Sequence, residues 1–307
     1  MSVRRVPKPR RRDGFSLIRL LAGGICNTDL ELQRGYYGFE GRPGHEFVGE
    51  VVESDTRSLV GRRVVGEINL ACRRCAWCRR GLGRHCPART VLGIVRHPGA
   101  FAEYLTLPDG NLRIVPARVS TEHAVFTEPV AAACEILDQV RIPRGTDVAV
   151  LGDGKLGLLI AQVLQARGAQ VCLFGHHPEK LKIAASIGAS TAMAGSNLPQ
   201  AEFDFVVDAT GSPGGLRAAT GMARPRGTVI MKSTVHGTVG IDMAPVIVNE
   251  LTLVGSRCGR FEPALRLLRS GKLHLDAMLS DEFALADAPK AFARAAEKGA
   301  LKVLLRP

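Results

Sequence analysis

The sequence predicts an α/β protein with a doubly wound parallel sheet, and three observations carry that prediction. An apolar run, a glycine turn and a helical apolar pattern follow one another between Thr146 and Gly168. The same alternation of strand-like and helix-like segments then continues to Val254. The chain has 307 residues, enough for two domains with separate cores.

The elements are justified in order. Asp147–Leu151 is a β-type apolar run, and Gly152-Asp153-Gly154-Lys155-Leu156-Gly157 follows at once. Leu156, Leu159, Ile160, Val163 and Leu164 then recur at helical spacing up to Gly168. This is the context a GxGxxG turn requires. The first glycine makes the turn, the second lets a pyrophosphate approach the backbone, and the third lets helix and strand pack closely. The phosphates would lie at the helix N-terminus, where unpaired amides and the dipole favour negative charge. Gln170–Phe174 reads as the second strand, and Pro178–Ile187 as a helix with proline first and Gly188 as its stop. Phe203–Asp208, Gly227–Met231 and Leu251–Val254 read as further strands, with a helix over Gly214–Ala223. Helices are expected from Phe261 to about Ser270 and over Ala288–Glu297, with a closing strand at Leu301–Leu305.

The end of the second strand bears on cofactor choice. NAD sites place Asp or Glu there, on the ribose hydroxyls. This chain has Gly175-His176-His177-Pro178 instead. Without a carboxylate on the strand, a 2′-phosphate meets no repulsion from it, and histidine N–H groups offer donors, so NADP is expected, with NAD as the alternative. The simpler reading is two surface histidines in a loop.

Four cysteines make the strongest local signal. Cys72, Cys75, Cys78 and Cys86 are spaced so that tight turns bring neighbouring sulfurs together and a longer loop returns the fourth. Four thiolates close a tetrahedral zinc shell, which is structural; a mixed Cys/His/carboxylate set leaves a position open for chemistry. Disulfides compete with this reading. The apolar stretch Ser16–Cys26 is interrupted by Arg19 and lacks a leader's cleavage pattern, so an oxidising compartment is not indicated. Cys134, Cys172 and Cys258 stand singly in apolar surroundings, where an inert buried thiol is the default.

Composition narrows the classes. The hydrophobic fraction is 46%, and no apolar run approaches the roughly 20 residues of a membrane span. A soluble cytoplasmic protein is expected, with no membrane partner. The net charge is +12, of which +6 falls in residues 1–20. That basic arm suits either phosphate contacts or simple solvation, and no aromatic-interleaved basic surface accompanies it. No nucleic-acid partner is expected.

Taken in order, several further motifs join these: Gly24-Ile25-Cys26-Asn27-Thr28-Asp29, Gly44-His45-Glu46-Phe47-Val48-Gly49, Gly99 to Tyr104, Thr127-Glu128-Pro129 and Val207-Asp208-Ala209-Thr210-Gly211. The ordered set resembles the zinc-containing medium-chain alcohol dehydrogenases, in their polyol, sugar and threonine dehydrogenase branch. The resemblance implies a Rossmann domain inserted in a mainly β, GroES-like catalytic domain. Residues 1–119 would form the N-terminal part of that catalytic domain, with a structural zinc lobe at 72–86. Residues 120–259 would form the Rossmann domain, and 260–307 the return. It also implies two zinc ions per chain and a homo-oligomer, dimer or tetramer, with Val246–Val254 as a possible dimer-forming edge strand.

Carried over by position, Cys26, His45, Glu46 and Glu128 look like the catalytic zinc set, and Cys72, Cys75, Cys78 and Cys86 the structural one. Thr28 looks like the hydroxyl that takes the substrate proton; taken alone it would be a helix cap. Glu46 also suits a buried acid bonded to an arginine. Glu31 stands where many members have a histidine ending the proton relay. Gly152, Gly154, Lys155, Leu156, Gly157, Gly175, His176, His177 and Thr210 look like the cofactor site. Tyr36, Tyr37 and Phe39 suit either the substrate pocket or ordinary loop packing. The implied reaction moves hydride between a small-molecule alcohol, polyol or sugar hydroxyl and the nicotinamide, with zinc lowering the pKa of the alcohol. A zinc-free quinone or enone reductase of the same superfamily would lack Cys26, His45 and the cysteine lobe, and the other competing readings are a catalytically silent NADP sensor on the same fold and, last, a zinc-ribbon nucleic-acid binder. The last leaves the glycine turn and Gly44-His45-Glu46 unexplained.

Overall fold

The computed structural model describes residues 1–35, 38–195, 197–235 and 238–307. Tyr36 and Tyr37, singled out above, lie outside the described residues. The described residues form two compact units. One comprises Met1–Glu128, Phe261–Arg269 and Leu279–Pro307; the other comprises Pro129–Arg260 and Ser270–Met278. The division drawn from sequence differs in placing 120–128 with the second unit and 270–278 with the first.

Along the first unit run β1 (Phe15–Ile25), α1 (Asn27–Gln33), β2 (Glu46–Glu53), β3 (Arg63–Gly66), β4 (Asn69–Leu70) and α2 (Ala76–Arg79). After them come β5 (Thr90–Leu92), β6 (Arg96–His97), β7 (Tyr104–Pro108), β8 (Leu112–Ile114) and α3 (Thr121–Val125). Helix α4 (Thr127–Gln139) opens on the last residues of this unit and continues into the second.

The second unit carries β9 (Asp147–Leu151), α5 (Lys155–Ala166), β10 (Gln170–Gly175), α6 (Pro178–Ala185), β11 (Ser190–Met193) and β12 (Phe203–Asp208). It continues through α7 (Pro213–Met222), β13 (Ala223–Met231), α8 (Ala244–Val248) and β14 (Thr252–Gly255). Its six strands are all parallel, in the order β11-β10-β9-β12-β13-β14. The order reverses at β9, so the glycine turn leaves the sheet at a topological switch point, where open α/β sheets bind their ligands. Val148, Ala149 and Val150 of β9 are fully buried, as a central parallel strand covered on both faces requires.

The chain then returns to the first unit with α9 (Phe261–Arg269), β15 (Leu279–Ala284), α10 (Ala288–Ala296) and β16 (Lys302–Arg306). Strand β1 is the spine of a seven-stranded sheet, pairing antiparallel with β2, β7 and β16. Leu17, Ile18, Leu20, Ala22 and Ile25 of β1 are almost wholly buried. Alternation is therefore nearly absent from β1.

From β9 onward, where the sequence reading assigned strands, β11 and β15 have no counterpart in it. β11 is mostly exposed, and β15 has no buried residue and carries Asp281 and Glu282 at its centre. Neither shows the apolar signature of a core strand, and each is placed by parallel pairing with a neighbour. β13 begins at Ala223 rather than Gly227, its two parts separated by a register shift against β12.

Candidate active site and metal centres

The first site forms where three strand ends of the first unit meet. β1 delivers Cys26 just past its last residue. Glu46 opens β2, opposite Gly24 of β1, with His45 before it. Lys302 opens β16, next to the Ile25–Val303 pair. Antiparallel register thus converges residues up to 276 positions apart in the chain. Cys26, His45 and Glu46 each present a donor atom within 4.8 Å of the others. His45 and Glu46 are buried, and Cys26 is half-buried.

Asp29, fully buried in the first turn of α1, orients this set. Its Oδ2 accepts from the Cys26 amide at 2.9 Å and its Oδ1 from the Gly44 amide at 3.0 Å. The same Oδ1 lies 3.3 Å from His45 Nδ1, a buried nitrogen with no completed hydrogen bond. A carboxylate behind one ring nitrogen leaves the other for a metal and sets the ring's orientation. Burial opposes a charged imidazole, but Asp29 and Cys26 outweigh it and hold His45 well above the usual histidine range. A position that attracts a proton so strongly suits a cation.

The Lys302 ammonium donates to Glu46 and lies 5.5 Å over the Phe126 ring. Burial pulls its pKa down, while Glu46, Cys26 and Asp29 more than reverse that and raise it. The arginine suggested as the partner of Glu46 is therefore a lysine. One ammonium faces three acidic side chains, and a divalent ion would complete the balance. The donor set fits zinc.

Two residues expected here lie differently. Glu128, second in α4, is not within that three-donor group. Glu31 is exposed and pairs with Arg34 at 2.7 Å, a surface arrangement on α1. Thr28 is half-buried in the first turn of α1, two residues beyond Cys26.

The second site is the cysteine lobe. Antiparallel β4 and β5 pin its two ends. Cys75 caps the single-turn α2, which puts Cys78 on the same side, and their sulfurs are 3.5 Å apart. Cys86 Sγ is 3.8 Å from Cys75 Sγ, and Cys72 Sγ is 3.9 Å from Cys78 Sγ. All eight cysteines are free thiols, so the disulfide reading is not realised. The amides of Arg74 and Cys75 lower the Cys72 thiol to about 6, whereas burial and its sulfur neighbours push Cys78 up to about 12. Such a split marks thiols that cannot all ionise together without a cation among them. The lobe also fits zinc.

In the second unit the glycine turn has the expected form. Gly152 has φ +107°, and a Cβ at Gly157 would sit 1.8 Å from the Gly152 carbonyl oxygen, so the close turn excludes any side chain there. Gly154 caps α5 and is exposed, Lys155 and Leu156 are half-buried, and the first amides of α5 have no partner within the helix. That is a cradle for a diphosphate. Thr210, past the end of β12, donates to Asp208 Oδ1 at 2.8 Å, which fixes the neighbouring loop. At the end of β10 the amides of His176 and His177 both donate to Asp153 at 2.7 Å. Both amides at this strand end, and Nδ1 of His177, are thus engaged by the turn's own aspartate.

Comparison with known proteins supplies the remaining context. The family model for the alcohol dehydrogenase GroES-like domain matches residues 12–117, and that for zinc-binding dehydrogenases matches residues 156–270. An L-threonine 3-dehydrogenase of Streptomyces avermitilis is 32% identical, over 98% of this chain and 94% of that protein. An erythritol/L-threitol dehydrogenase of Mycolicibacterium smegmatis is 28% identical, over 98% and 93%. Among solved structures, an alcohol dehydrogenase of a Thermus species has a TM-score of 0.91 at 32% identity, covering 99% of this chain and 96% of its own. A Sinorhizobium meliloti protein assigned to the zinc-binding dehydrogenases, and solved with NADP bound, has a TM-score of 0.91 at 30% identity, covering 100% and 96%.

Proposed function

We propose, from the premise that this chain belongs to the zinc-binding alcohol dehydrogenase family, that it is a zinc-dependent oxidoreductase acting on an alcohol, polyol or sugar hydroxyl, or the matching carbonyl. The observation that carries this reading is the donor set of half-buried Cys26 with buried His45 and Glu46. When bound, zinc supplies Lewis acidity to the substrate oxygen, and NADP or NAD accepts or returns the hydride.

The chain's own residues do the rest. Asp29 ties the Cys26 and Gly44 amides in register and backs the His45 imidazole. Glu46, bonded to Lys302, is the acid able to trade between ammonium and metal. Thr28, at the mouth of α1, takes the substrate proton outward. Glu128, second in α4, is the further carboxylate that the family resemblance assigns to the metal. Gly152 to Gly157 receive the diphosphate, with Thr210 on the adjoining loop. The four cysteines of the lobe hold the second zinc and do no chemistry.

The relatives' names give polyols and a β-hydroxy amino acid, so the test is a panel of polyols, sugar alcohols and threonine with NADP and with NAD, following nicotinamide reduction. Turnover of at least one such alcohol that stops when zinc is chelated is the expected result. Binding of the nucleotide with no turnover of any alcohol or carbonyl would replace this reading with the silent sensor.

Homo-oligomerisation belongs to the same reading. β14 is an edge strand of the parallel sheet, and Ile247 and Val248 just before it are 72% and 78% exposed. Ile247 and Val248 belong to α8, so the expected edge strand over Val246–Val254 is a helix up to Val248, and its exposed apolar residues beside the β14 edge invite contact with a second copy. Light scattering should give at least twice the chain mass, with Ile247→Lys/Val248→Lys shifting it toward the monomer. A monomeric wild-type protein would end this proposal.

No helix among the described residues is long and apolar enough to cross a membrane.

A further inference from the structure

The end of β10 holds an arrangement that the glycine turn alone does not require. Gly175 stands where NAD-binding chains carry an acid, and it is buried. A Cβ built there would fall 2.5 Å from both Cβ and Oδ2 of Asp153. The space left by the missing strand side chain is therefore filled from another element, by the second residue of the glycine turn. Asp153 is buried, and its Oδ2 takes both the His176 and His177 amides at 2.7 Å. Its carboxylate also meets His177 Nδ1 at 3.0 and 3.2 Å.

We propose that Asp153 is the residue by which this site tells a ribose hydroxyl from a ribose phosphate: a carboxylate displaced from the strand to the turn. The proposal rests on the reading of this unit as a nicotinamide-dinucleotide site. Two physical consequences follow from the geometry. A carboxylate accepts hydrogen bonds from ribose hydroxyls and repels a 2′-phosphate, as the strand-borne acid does in other sites. The two amides best placed to bind a phosphate at that strand end are already donating to it. Burial favours its neutral form, but the His177 amide and imidazole and the His176 amide outweigh burial and keep Asp153 below the usual carboxylate range. The charge persists at neutral pH.

Asp153 therefore works against NADP and for NAD, whichever of the two the whole site prefers. The measurement is the dissociation constant of each dinucleotide for the purified holoenzyme, by calorimetry, in wild type and two variants. In Asp153→Asn the ratio of NADP to NAD affinity should rise by about tenfold or more, the scale of one charge-assisted contact. In Asp153→Gly/Gly175→Asp, where the carboxylate returns to the strand and the collision at Gly175 is relieved, the ratio should fall back toward wild type. An unchanged ratio in Asp153→Asn, with both nucleotides still bound, overturns the proposal alone. Failure of wild type to bind either nucleotide overturns the dinucleotide reading and this proposal with it. Should Asp153→Asn not fold, a double variant that folds but does not restore the wild-type ratio is equally decisive against it.

Discussion

Replacing Cys26 with alanine is expected to remove one of two zinc ions per chain and to lower kcat/KM on the order of a thousandfold, while the fold persists. The reason lies in how the two donor sets are built. Cys26, His45 and Glu46 converge on one point only because β1, β2 and β16 meet there. The strands are held by their own ladders and by a buried core, so losing one thiol costs the metal rather than the sheet. Losing a Lewis acid forfeits several kcal/mol of transition-state stabilisation, and about 4 kcal/mol corresponds to a thousandfold in rate. The lobe should behave in the opposite way. Cys86 is fully buried between elements only a few residues long, so Cys86→Ser should release the other zinc and lower the melting temperature. Zinc per chain, measured beside activity and thermal unfolding, checks both. Two zinc ions retained in Cys26→Ala would mean that this donor set does not hold the metal, and the mechanism would lose its centre.

The features legible in the sequence are those whose partners lie close in the chain. The cysteine lobe is one, since all its sulfurs come within Cys72–Cys86. The glycine turn is another, because Gly152, Gly154 and Gly157 are constrained by their own local geometry. Features set by distant pairing were legible only where the family resemblance carried them, as for Cys26, His45 and Glu46. Asp29 stood inside a quoted motif, and its Cys26-x-x-Asp29 spacing was a signal for a helix-start acid folding back on the first ligand. Its bond to the Gly44 amide carried no sequence signal. Asp153 sits between two glycines of the turn with nothing local to mark it, because its role depends on β10 lying beside β9. Lys302 gave no hint at all: it precedes the apolar run Val303–Leu305, and its partner Glu46 lies 256 residues away.

That pair sets the second large effect. Lys302→Met is expected to destabilise the protein by about 3–5 kcal/mol, the cost of leaving a buried charge without its partner. Both side chains are almost wholly removed from water, so neither can be rescued by hydration. The loss does not measure the strength of the ion pair, because the variant also strands the Glu46 carboxylate beside Asp29 and Cys26. A double-mutant cycle separates the two contributions. Glu46→Gln/Lys302→Met, which removes both charges, should recover most of the stability lost by Lys302→Met. The coupling energy should exceed about 1 kcal/mol, read from chemical denaturation with zinc saturating in every sample. Strictly additive losses would show that Lys302 and Glu46 act independently, and that Lys302 serves the strand rather than the site. Strong coupling with a large drop in kcat would instead tie the first residue of β16 to the acid beside the metal. The C-terminal return of the chain would then be part of the active centre as well as a sheet strand.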